Sequence, residues 1–582
     1  MKAFIQLLRY MRPYILFAIL GPFLMFVEVA MDLLQPTLMQ KMIDDGIANA
    51  NQRYVIQLGL FMLLSAIIGL IGGMGSSIYA AKAAVHFATD IRDDLFKKVN
   101  GISNEVADSY GIGKLITIVS NDVTSVQHAI MMTLRVFVRG PLLFIGSVLI
   151  VWFTARPLFP IVLVVIPLLI VSIYYFSVRI GKLFLQVQQA IDRMNTKLQE
   201  MFAAIRVVKA FNREEYEKSQ FRKLNQTWME RNMRAEQFMI ALMPIMMFII
   251  NIAIVAGLWL GVIKVNEGTV QIGVILAFIN YLTIMLNGIL TSSHVLMVIA
   301  RAFPSAERML ELLKTRSDLT GNSDVTTEKP IRGDVEFQNV SFRYDSNGKE
   351  VLKDISFSVK AGETVGIIGP TGSGKSTLVK LIARLYDPDR GTIFIDGIDM
   401  KDYPLKKLRE AIGFVPQKAT LFSGSIADNL RFGKEKATIA DMEEAAQLAV
   451  AAEFIHRFDE KFDYELLQGA TNVSGGQKQR LSIARALIRK PAILIFDDST
   501  SAIDAYSEAK VLRAIKETFT ESTVFIISSK ISSVIDADQI LVLKEGKLVA
   551  SGSHDELLQR SRDYQTMYAA QLGKGVFAYE KR

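Results

Sequence analysis

The sequence predicts a membrane-embedded α-helical half followed by an α/β domain with a largely parallel sheet. Six apolar stretches in the first half are each long enough to cross a bilayer, and the second half alternates strand-like and helical patterns around a glycine-rich loop. Polar, turn-rich residues 316–330 lie between the two halves. We therefore predict a transmembrane domain over residues 1–315, a linker over 316–330 and an α/β domain over 331–582.

Composition and charge exclude several classes of protein. The chain of 582 residues is 51% hydrophobic and 21% charged, with a mean hydropathy of +0.28, which is too apolar for a disordered polymer. It has no cysteine, so disulfide scaffolds, thiolate nucleophiles and cysteine metal sites are excluded. Residues 1–315 hold 29 basic and 20 acidic residues, and the remainder holds 37 and 38. The positive charge therefore lies in the apolar half, which argues against nucleic-acid binding and for loops at an anionic membrane surface.

The first half contains the predicted membrane spans. About twenty residues at ~1.5 Å per residue cross ~30 Å of hydrocarbon, so each apolar stretch can form one helical span. The six spans are residues 15–38, 54–80, 133–155, 157–178, 239–263 and 272–298. The first is too long for the apolar region of a signal peptide and lacks a small-residue cleavage site, so we expect an uncleaved anchor.

The segments between the spans predict the orientation of the chain in the membrane. Residues 81–132 and 179–238 are long and rich in Lys and Arg, whereas the other joins are short. The positive-inside rule then places both long segments, both termini and the second half in the cytoplasm, with a bacterial cell membrane as the simplest setting. Each long segment is expected to form two helices of about 25 residues that extend ~35 Å from the membrane, with a turn at the tip.

The second half carries a motif for binding phosphate. The segment VGIIGPTGSGKSTLVKLI is an apolar strand, a glycine-rich loop and the start of a helix. Such a loop aims backbone N–H groups at phosphate oxygens, while Lys375 reaches the terminal phosphates and the Ser376 hydroxyl can bind Mg²⁺. The residues expected to contact ATP are Gly369, Thr371, Gly372, Ser373, Gly374, Lys375, Ser376 and Thr377.

Two further segments follow at a characteristic spacing. The first, NVSGGQKQRLSIARALI, begins a helix at the signature Ser474, Gly475, Gly476 and Gln477, where small residues allow an anion to approach the helix N-terminus. The second, AILIFDDSTSAID, is an apolar strand that ends in Asp497, which can hold Mg²⁺ or its water. The order and spacing of the three segments make nucleotide binding the expected activity.

These motifs resemble the ATP-binding-cassette transporter family over nearly the whole chain. The resemblance implies that Tyr344 stacks on adenine, that Gln417 senses Mg²⁺ and the transmembrane domain, and that the loop from Ser501 to Asp504 crosses to a partner domain. Segments 120–127 and 200–217 look like the intracellular loops of exporters in this family. Six spans ahead of one cassette resemble a half-transporter, so a working unit needs two chains.

The chain departs from the family pattern at the positions that activate water. Asp498 stands where hydrolysing members have a glutamate, and Ser529 stands where they have a switch histidine, since none of the five histidines falls there. Gln468 also replaces a glutamate that exporters usually carry. Asp498 is one methylene shorter than glutamate, and catalysis tolerates ~1 Å of misplacement poorly. We expect this site to bind ATP and to turn it over slowly or not at all.

The intact signature suggests what the chain contributes instead. In this family each ATP lies between the phosphate loop of one chain and the signature of the other, so Ser474–Gln477 would complete a competent site on a partner that has its own glutamate and histidine. The asymmetry resembles heterodimeric multidrug exporters of the BmrCD and LmrCD type. The alternatives are a homodimeric exporter with slow hydrolysis, a lipid flippase, and a regulatory or channel-like subunit gated by ATP.

The sequence gives only a general expectation for the transported molecules. Met243 and Met247 belong to a set of methionines in the last two spans that suits hydrophobic small molecules, although lipid-facing or packing roles explain them as well. Glu28 and Asp32 lie one helical turn apart in the first span, and acidic groups at membrane depth usually face a cavity or a partner. They are candidate contacts for a cationic substrate, unless both lie at the wetted end of the span.

Overall fold

The computed structural model describes residues 2–315, 330–345 and 348–572, without the side chains of residues 293, 294, 296 and 297. The predicted linker 316–330 therefore lies almost entirely outside the described residues. The chain divides into two compact units. The helical unit comprises Met1–Asn100 and Gly113–Thr315, and the α/β unit comprises Gly101–Ile112 and Arg316–Arg582.

The helical unit contains the six predicted spans. Within the described residues, six helices are long and apolar enough to cross a membrane, as the sequence predicts. In chain order, the helices of residues 2–315 are α1 Lys2–Ile47, α2 Gln52–Gly101, α3 Asn104–Tyr110, α4 Ile112–Thr154, α5 Arg156–Ala203, α6 Ile205–Ala210, α7 Glu214–Asn266 and α8 Ile272–Lys314. Helices α1 and α4 include short 3₁₀ or π segments. The membrane-spanning α-helical fold class is confirmed.

The two long segments between spans are helical almost throughout. Helices α2, α5 and α7 continue well beyond their apolar stretches. At the tips the structure has short helices, α3 and α6, where the sequence predicts only turns. The Ser103 side chain caps α3 by accepting a hydrogen bond from the backbone N–H of Val106, and Gly111 with φ +73° ends it. These local stop and start signals explain why a helix forms there.

The helices of the helical unit pack through small residues and a few long-range hydrogen bonds. A Cβ atom on Gly140 of α4 would lie 2.7 Å from the Gly288 carbonyl oxygen of α8, so glycine is needed for this approach. The buried Tyr281 hydroxyl donates to the Leu33 carbonyl oxygen at 2.7 Å. These contacts fix α8 against α4 and α1.

A buried ion pair joins the end of α8 to the beginning of α4. The Asp122 side chain is 4% exposed and accepts two hydrogen bonds from the Arg308 guanidinium, at 2.8 and 2.5 Å. The two parallel bonds satisfy a carboxylate that would otherwise be buried without a counterion. The pair therefore holds two helices that are far apart in sequence.

The α/β unit is built on two main sheets. Strand order in the larger sheet is β12-β11-β3-β10-β9-β6, parallel except for the β11–β12 pair, and an antiparallel sheet has the order β2-β1-β4-β5. The strands are β1 Val335–Phe342, β2 Leu352–Val359, β3 Thr364–Ile368, β4 Arg390–Ile395, β5 Ile398–Asp399, β6 Ile412–Val415, β7 Gly424–Ser425, β8 Glu465–Leu466, β9 Ile493–Asp497, β10 Thr523–Ile527, β11 Gln539–Lys544 and β12 Lys547–Gly552. The predicted α/β class with a largely parallel sheet is confirmed.

The helices of this unit alternate with its strands. They are α9 Lys375–Ile382, α10 Leu405–Glu410, α11 Ile426–Arg431, α12 Ile439–Leu448, α13 Ala452–Ile455, α14 Gly475–Leu487, α15 Ala505–Thr518, α16 His554–Arg560 and α17 Arg562–Leu572. Those that start after strands of the larger sheet include α9 after β3 and α15 after β9. Strand β3 lies between β11 and β10, with β9 next to β10. Because the carboxyl ends of parallel strands meet at one edge, the loops after β3, β9 and β10 lie together.

The Asp122–Arg308 pair yields a stability prediction. Asp122→Asn should lower the apparent Tm of the full chain in detergent, because it removes the buried carboxylate that accepts both Arg308 hydrogen bonds, at a cost of about 1–3 kcal/mol. The matched control is Asp93→Asn, which removes an exposed pair with Lys97 and should change stability by less than about 0.5 kcal/mol. Equal Tm shifts for the two variants would contradict the assigned role.

Candidate nucleotide-binding site

The loop between β3 and α9 requires glycine at two positions. Gly374 has φ +100°, and a Cβ atom there would lie 2.7 Å from Leu352 Cδ2. A Cβ atom on Gly369 would lie 2.1 Å from the Leu543 carbonyl oxygen. Only glycine fits both the backbone conformation and the space, so the loop can curl over the N-terminus of α9.

The loop contains polar groups that can bind an anionic ligand. The Ser373 hydroxyl oxygen is buried and has no hydrogen-bond partner among the described residues. It lies inside the curl of the loop, where a Cβ atom on Gly369 would be 2.7 Å away. The Lys375 Nζ atom donates to the carbonyl oxygens of Gly369 and Pro370 at 2.8 and 3.0 Å. Burial lowers the pKa of Lys375, while Asp498 and Asp497 oppose that shift. Phosphate oxygens fit these donors.

Ser376 and Asp497 form the oxygen pair expected for Mg²⁺. The Ser376 hydroxyl, in the first turn of α9, donates to Asp497 Oδ1 at the end of β9, at 2.5 Å. Asp497 is 4% exposed, and burial raises its pKa even though the Ser376 bond lowers it. A buried carboxylate beside a hydroxyl suits a hard divalent cation, so these residues fit the metal that the motif implies.

The structure links Gln417 to Asp498, at the side of the site where water would be activated. Gln417 Nε2 donates to Asp498 Oδ2 at 3.3 Å. Asp498 has φ +46°, its backbone N–H donates to the Ile527 carbonyl oxygen, and its own carbonyl oxygen accepts a bond from the Ser501 hydroxyl at 2.9 Å. A left-handed conformation held by these bonds fixes the direction of the carboxylate.

Ser529 follows β10 at the same edge of the sheet. Its side chain is exposed, and its carbonyl oxygen accepts a bond from the Gln571 amide at 2.7 Å. The Gln571 carbonyl oxygen in turn accepts a bond from the backbone N–H of Ile531 at 2.8 Å. Helix α17 thus holds this segment in place, which the sequence alone does not indicate.

Tyr344, which the family resemblance assigns to adenine stacking, lies in a group of aromatic rings. Its side chain is 39% exposed, and its hydroxyl is 3.0 Å from Thr377 Oγ1 of α9. The Tyr386 ring packs edge-on against it at 5.2 Å between ring centroids, and Phe342 does so at 5.0 Å. These edge contacts set the orientation of the ring expected to stack on adenine.

The Tyr386 contact with α3 is a functional feature that the sequence did not reveal. The Tyr386 hydroxyl donates to Asp108 Oδ2 at 2.5 Å, and burial together with this bond raises the pKa of Tyr386. The contact explains why residues 101–112 belong to the α/β unit, whereas the sequence-based division at 315 leaves them in the first domain. In the sequence, the short polar stretch between Ser103 and Gly111 is the signal that could have indicated this separate segment.

The signature residues form the N-terminus of α14. Ser474 and Gln477 make a capping box: the Ser474 hydroxyl accepts from the Gln477 N–H, and the Gln477 side chain accepts from the Ser474 N–H at 2.8 Å. A Cβ atom on Gly475 would meet nothing within 4 Å, and one on Gly476 would be 3.4 Å from the Ala502 carbonyl oxygen. The N-terminus is therefore preformed and open at Gly475.

Within one chain, the signature and the phosphate loop do not meet. Among the residues that the structure describes, no hydrogen bond joins Ser474–Gln477 to Gly369–Thr377. The neighbouring interface loop is fixed separately, since the Asp504 side chain caps α15 by accepting from the Ser507 N–H at 2.9 Å. Exposed Gln468 precedes Gly469, whose carbonyl oxygen accepts from Lys478, and nothing in the structure explains the effect of the glutamine.

The candidate substrate contacts lie in the helical unit. Glu28 and Asp32 both pair with Arg139 of α4, at 3.3 and 3.1 Å, a partner that sequence reasoning missed. Met243 and Met247 are 46% and 45% exposed on α7, while the intervening Met246 is buried in the core. The two methionines share an outward face of the helix.

The Tyr386–Asp108 bond yields a second prediction. Tyr386→Phe keeps the ring and removes only the bond, so the amides of α3 should exchange hydrogen about fivefold faster, as expected for a loss of about 1 kcal/mol. Tyr403→Phe is the control, because it removes a buried tyrosine bond, to the Ile395 carbonyl oxygen, elsewhere in the same unit. Unchanged exchange in α3 of the Tyr386 variant would show that the bond does not hold the segment.

Known families match both halves of the chain. The description "ABC transporter transmembrane region" matches residues 18–289, and "ABC transporter" matches residues 352–501. The ABC transporter ATP-binding protein YfiB of Bacillus subtilis is 41% identical over 567 residues, which are 97% of this chain and 98% of YfiB. B. subtilis YgaD, which is named for multidrug export, is 30% identical over 98% of this chain and 99% of its own length.

A lipid transporter and a solved exporter are also similar to this chain. An ATP-dependent lipid A-core flippase of Desulfotalea psychrophila is 32% identical over 83% of this chain and 84% of its own length. The structure of a bacterial Atm1-family ABC exporter with ATP bound superposes with a TM-score of 0.79 at 24% identity, covering 97% of this chain and 99% of that one. With both halves matched in one chain and relatives aligned along nearly its whole length, the protein belongs to the ATP-binding-cassette transporter family and is a half-transporter of the exporter type.

Proposed function

We propose that the chain is one subunit of a heterodimeric, ATP-driven multidrug exporter and that its own ATP site is degenerate. The observation that carries the proposal is the contrast between intact binding groups and altered water-activating groups. The phosphate loop, Ser376, Asp497 and the signature helix are all formed, whereas Asp498 and Ser529 stand where hydrolysing members have glutamate and histidine. The similarity to YgaD, named for multidrug export, supports the cargo class.

The proposed binding of ATP follows from the groups present in the loop. Lys375 exchanges its two carbonyl partners for phosphate oxygens, which are stronger acceptors because they are charged. Ser376 and Asp497 hold Mg²⁺, which neutralises phosphate charge when bound. Tyr344 stacks on adenine in the orientation that Tyr386 and Phe342 impose. Binding therefore needs no residue that this chain lacks.

Hydrolysis is expected to be slow because the base is short and already engaged. The Asp498 carboxylate reaches one methylene less far than glutamate and accepts a bond from Gln417. The Ser529 hydroxyl cannot replace an imidazole that contacts both the terminal phosphate and the attacking water. The loss of general-base catalysis alone costs a factor of about 10²–10⁴ in rate. ATP bound here would stabilise the closed pair of nucleotide-binding domains instead of driving turnover.

The signature helix serves the ATP of the partner in this proposal. Its N-terminus carries the positive end of the helix dipole, and the capping box leaves Gly475 facing open space. The partner, a second half-transporter with an intact glutamate and histidine, would hydrolyse that ATP and reset the transporter. Residues 101–112 bind the α/β unit while their flanking helices belong to the helical unit, so the chain itself connects the two.

Location and cargo complete the proposal. We place the transporter in a bacterial cell membrane with both termini in the cytoplasm, on the basis of the Lys and Arg in the long segments. A lipid flippase is the second candidate, because a lipid A-core flippase is among the similar proteins. A slow homodimer and a subunit that is gated by ATP without pumping differ from the main proposal in their rates of ATP hydrolysis, which can be measured.

The degenerate site predicts an unusual response to mutation. In the complex with the half-transporter that co-purifies with it, Asp498→Asn should leave the ATPase rate nearly unchanged, and the chain alone should bind ATP with little turnover. Asp498→Glu combined with Ser529→His should raise the rate of the chain alone at least about tenfold, because it restores the base and its partner. Robust turnover by the unmodified chain alone, abolished by Asp498→Asn, would overturn the proposal.

Mutation of the signature, unlike mutation of Asp498, is expected to lower the ATPase rate of the complex. Gly475→Leu places a side chain in the open space before α14, so the fold and this chain's own ATP binding should be unchanged. The ATPase rate of the complex should fall at least about 100-fold, because the partner's ATP can no longer reach the helix N-terminus. The control is Gly101→Leu, another glycine with open space around its Cβ position but outside the site. A complex that keeps its rate with Gly475→Leu would exclude the shared site.

A further inference from the structure

A polar cluster lies among the helices of the helical unit, next to two cavities. The cavities have volumes of about 430 and 620 Å³, within the range of small-molecule sites. Asp32 and Arg135 line both of them. Glu28 lines the smaller cavity, and Arg139 and Asn287 line the larger one. The cluster thus contains two carboxylates and two guanidinium groups.

The cluster lies within the spans predicted from the sequence. Asp32, Arg139 and Asn287 are each about 15 residues, or ~22 Å of helix, from the short-loop end of their helices at Ile47, Thr154 and Ile272. Equal spacing from these ends places the three side chains at a similar depth. Charged groups at such depth are costly, and they usually pair with each other or face a water-filled cavity that binds substrate.

The two carboxylates already have a partner. Arg139 Nη2 lies 3.3 Å from Glu28 and 3.1 Å from Asp32, so one guanidinium serves both. Glu28 is only 16% exposed and packs against bare backbone, because a Cβ atom on Gly73 would lie 2.7 Å from its Oε2 atom. A cation would therefore have to compete with Arg139 for both acids.

Arg135 differs from Arg139, because no described acidic side chain pairs with it. It is exposed to both cavities, and among the described side chains of the helical unit it has no hydrogen bond or ion pair. Arg139, one turn further along α4, is engaged by Glu28 and Asp32. The larger cavity therefore has one guanidinium without a described partner, that of Arg135, and Met25, Leu143 and Ile284 provide its apolar wall.

We infer that this cavity binds the anionic group of an amphipathic substrate, a carboxylate or a phosphate, through Arg135. The inference rests on the proposed export function and names its substrate class. The apolar wall accommodates the hydrocarbon part, and the guanidinium of Arg135, which has no partner among the described side chains, gives the preference for an anion. A cationic substrate at Glu28 and Asp32 would have to compete with Arg139, which contacts both carboxylates.

The test uses the full chain in nanodiscs of phosphatidylcholine, with radiolabelled tetradecyl phosphate and tetradecyltrimethylammonium as probes of equal chain length. Saturable binding above that of empty nanodiscs should occur for the phosphate and not for the ammonium probe. Arg135→Gln should weaken phosphate binding about tenfold, and Arg135→Lys should weaken it less, since the charge remains. Asp32→Asn should leave phosphate binding intact or strengthen it, because it removes a nearby negative charge.

The control is Arg179→Gln, which removes an arginine that stacks on Tyr175 and lines neither cavity; its phosphate binding should equal that of the unmodified chain. Saturable binding of only the ammonium probe, lost in Asp32→Asn, would overturn the inference. Unchanged phosphate binding in Arg135→Gln would also overturn the inference. The same holds if Arg135→Gln weakens the association of the subunits but does not change binding of the phosphate probe. ATP binding is measured in the same samples: its absence would refute the proposed function, whereas intact ATP binding without phosphate selectivity would refute only this inference.

Discussion

Neighbouring atoms lie very close to the backbone of the loop of residues 369–374, and the rest of the nucleotide site depends on this constraint. The loop lies against the Leu543 carbonyl oxygen and the Leu352 side chain, so its path is fixed before any ligand arrives. Strand β3 is held between β10 and β11, and this position brings Ser376 to Asp497 of β9 and Lys375 near Asp498. A parallel sheet thus converts three separate segments into one site.

The glycine-rich loop is formed without a ligand, and the two residues on which the proposed degenerate site depends lie elsewhere in the site. Binding uses backbone N–H groups, Lys375 and Ser376, which depend on the loop itself. Water activation depends on the side chains after β9 and β10, where Asp498 is held by Gln417 and by a left-handed backbone conformation. A chain can therefore lose the second function while it keeps the first, and the formed signature helix gives such a chain a use in a two-subunit transporter.

Several acidic side chains of the helical unit have basic partners within the chain. Glu28 and Asp32 share Arg139, and Asp122 is paired twice with Arg308. Arg135 stands out against that pattern because it lines two cavities and has no such partner among the described side chains. A guanidinium that lines two cavities without a described partner is the reason to look for its partner in the cargo.

The sequence by itself determined the six spans, the order of the nucleotide motifs and the two altered residues, because each is written in a contiguous pattern. Hydrophobic length needs only one segment, and the glycine-rich loop carries its own start and end signals. Only the tertiary structure decided which distant side chains meet. Arg139 reaches Asp32 across 107 residues, and Tyr386 reaches Asp108 across 278. Such pairings depend on the rotation and depth at which helices pack and on which unit a short segment binds, and these follow from the summed contacts of the whole chain, which no single segment specifies.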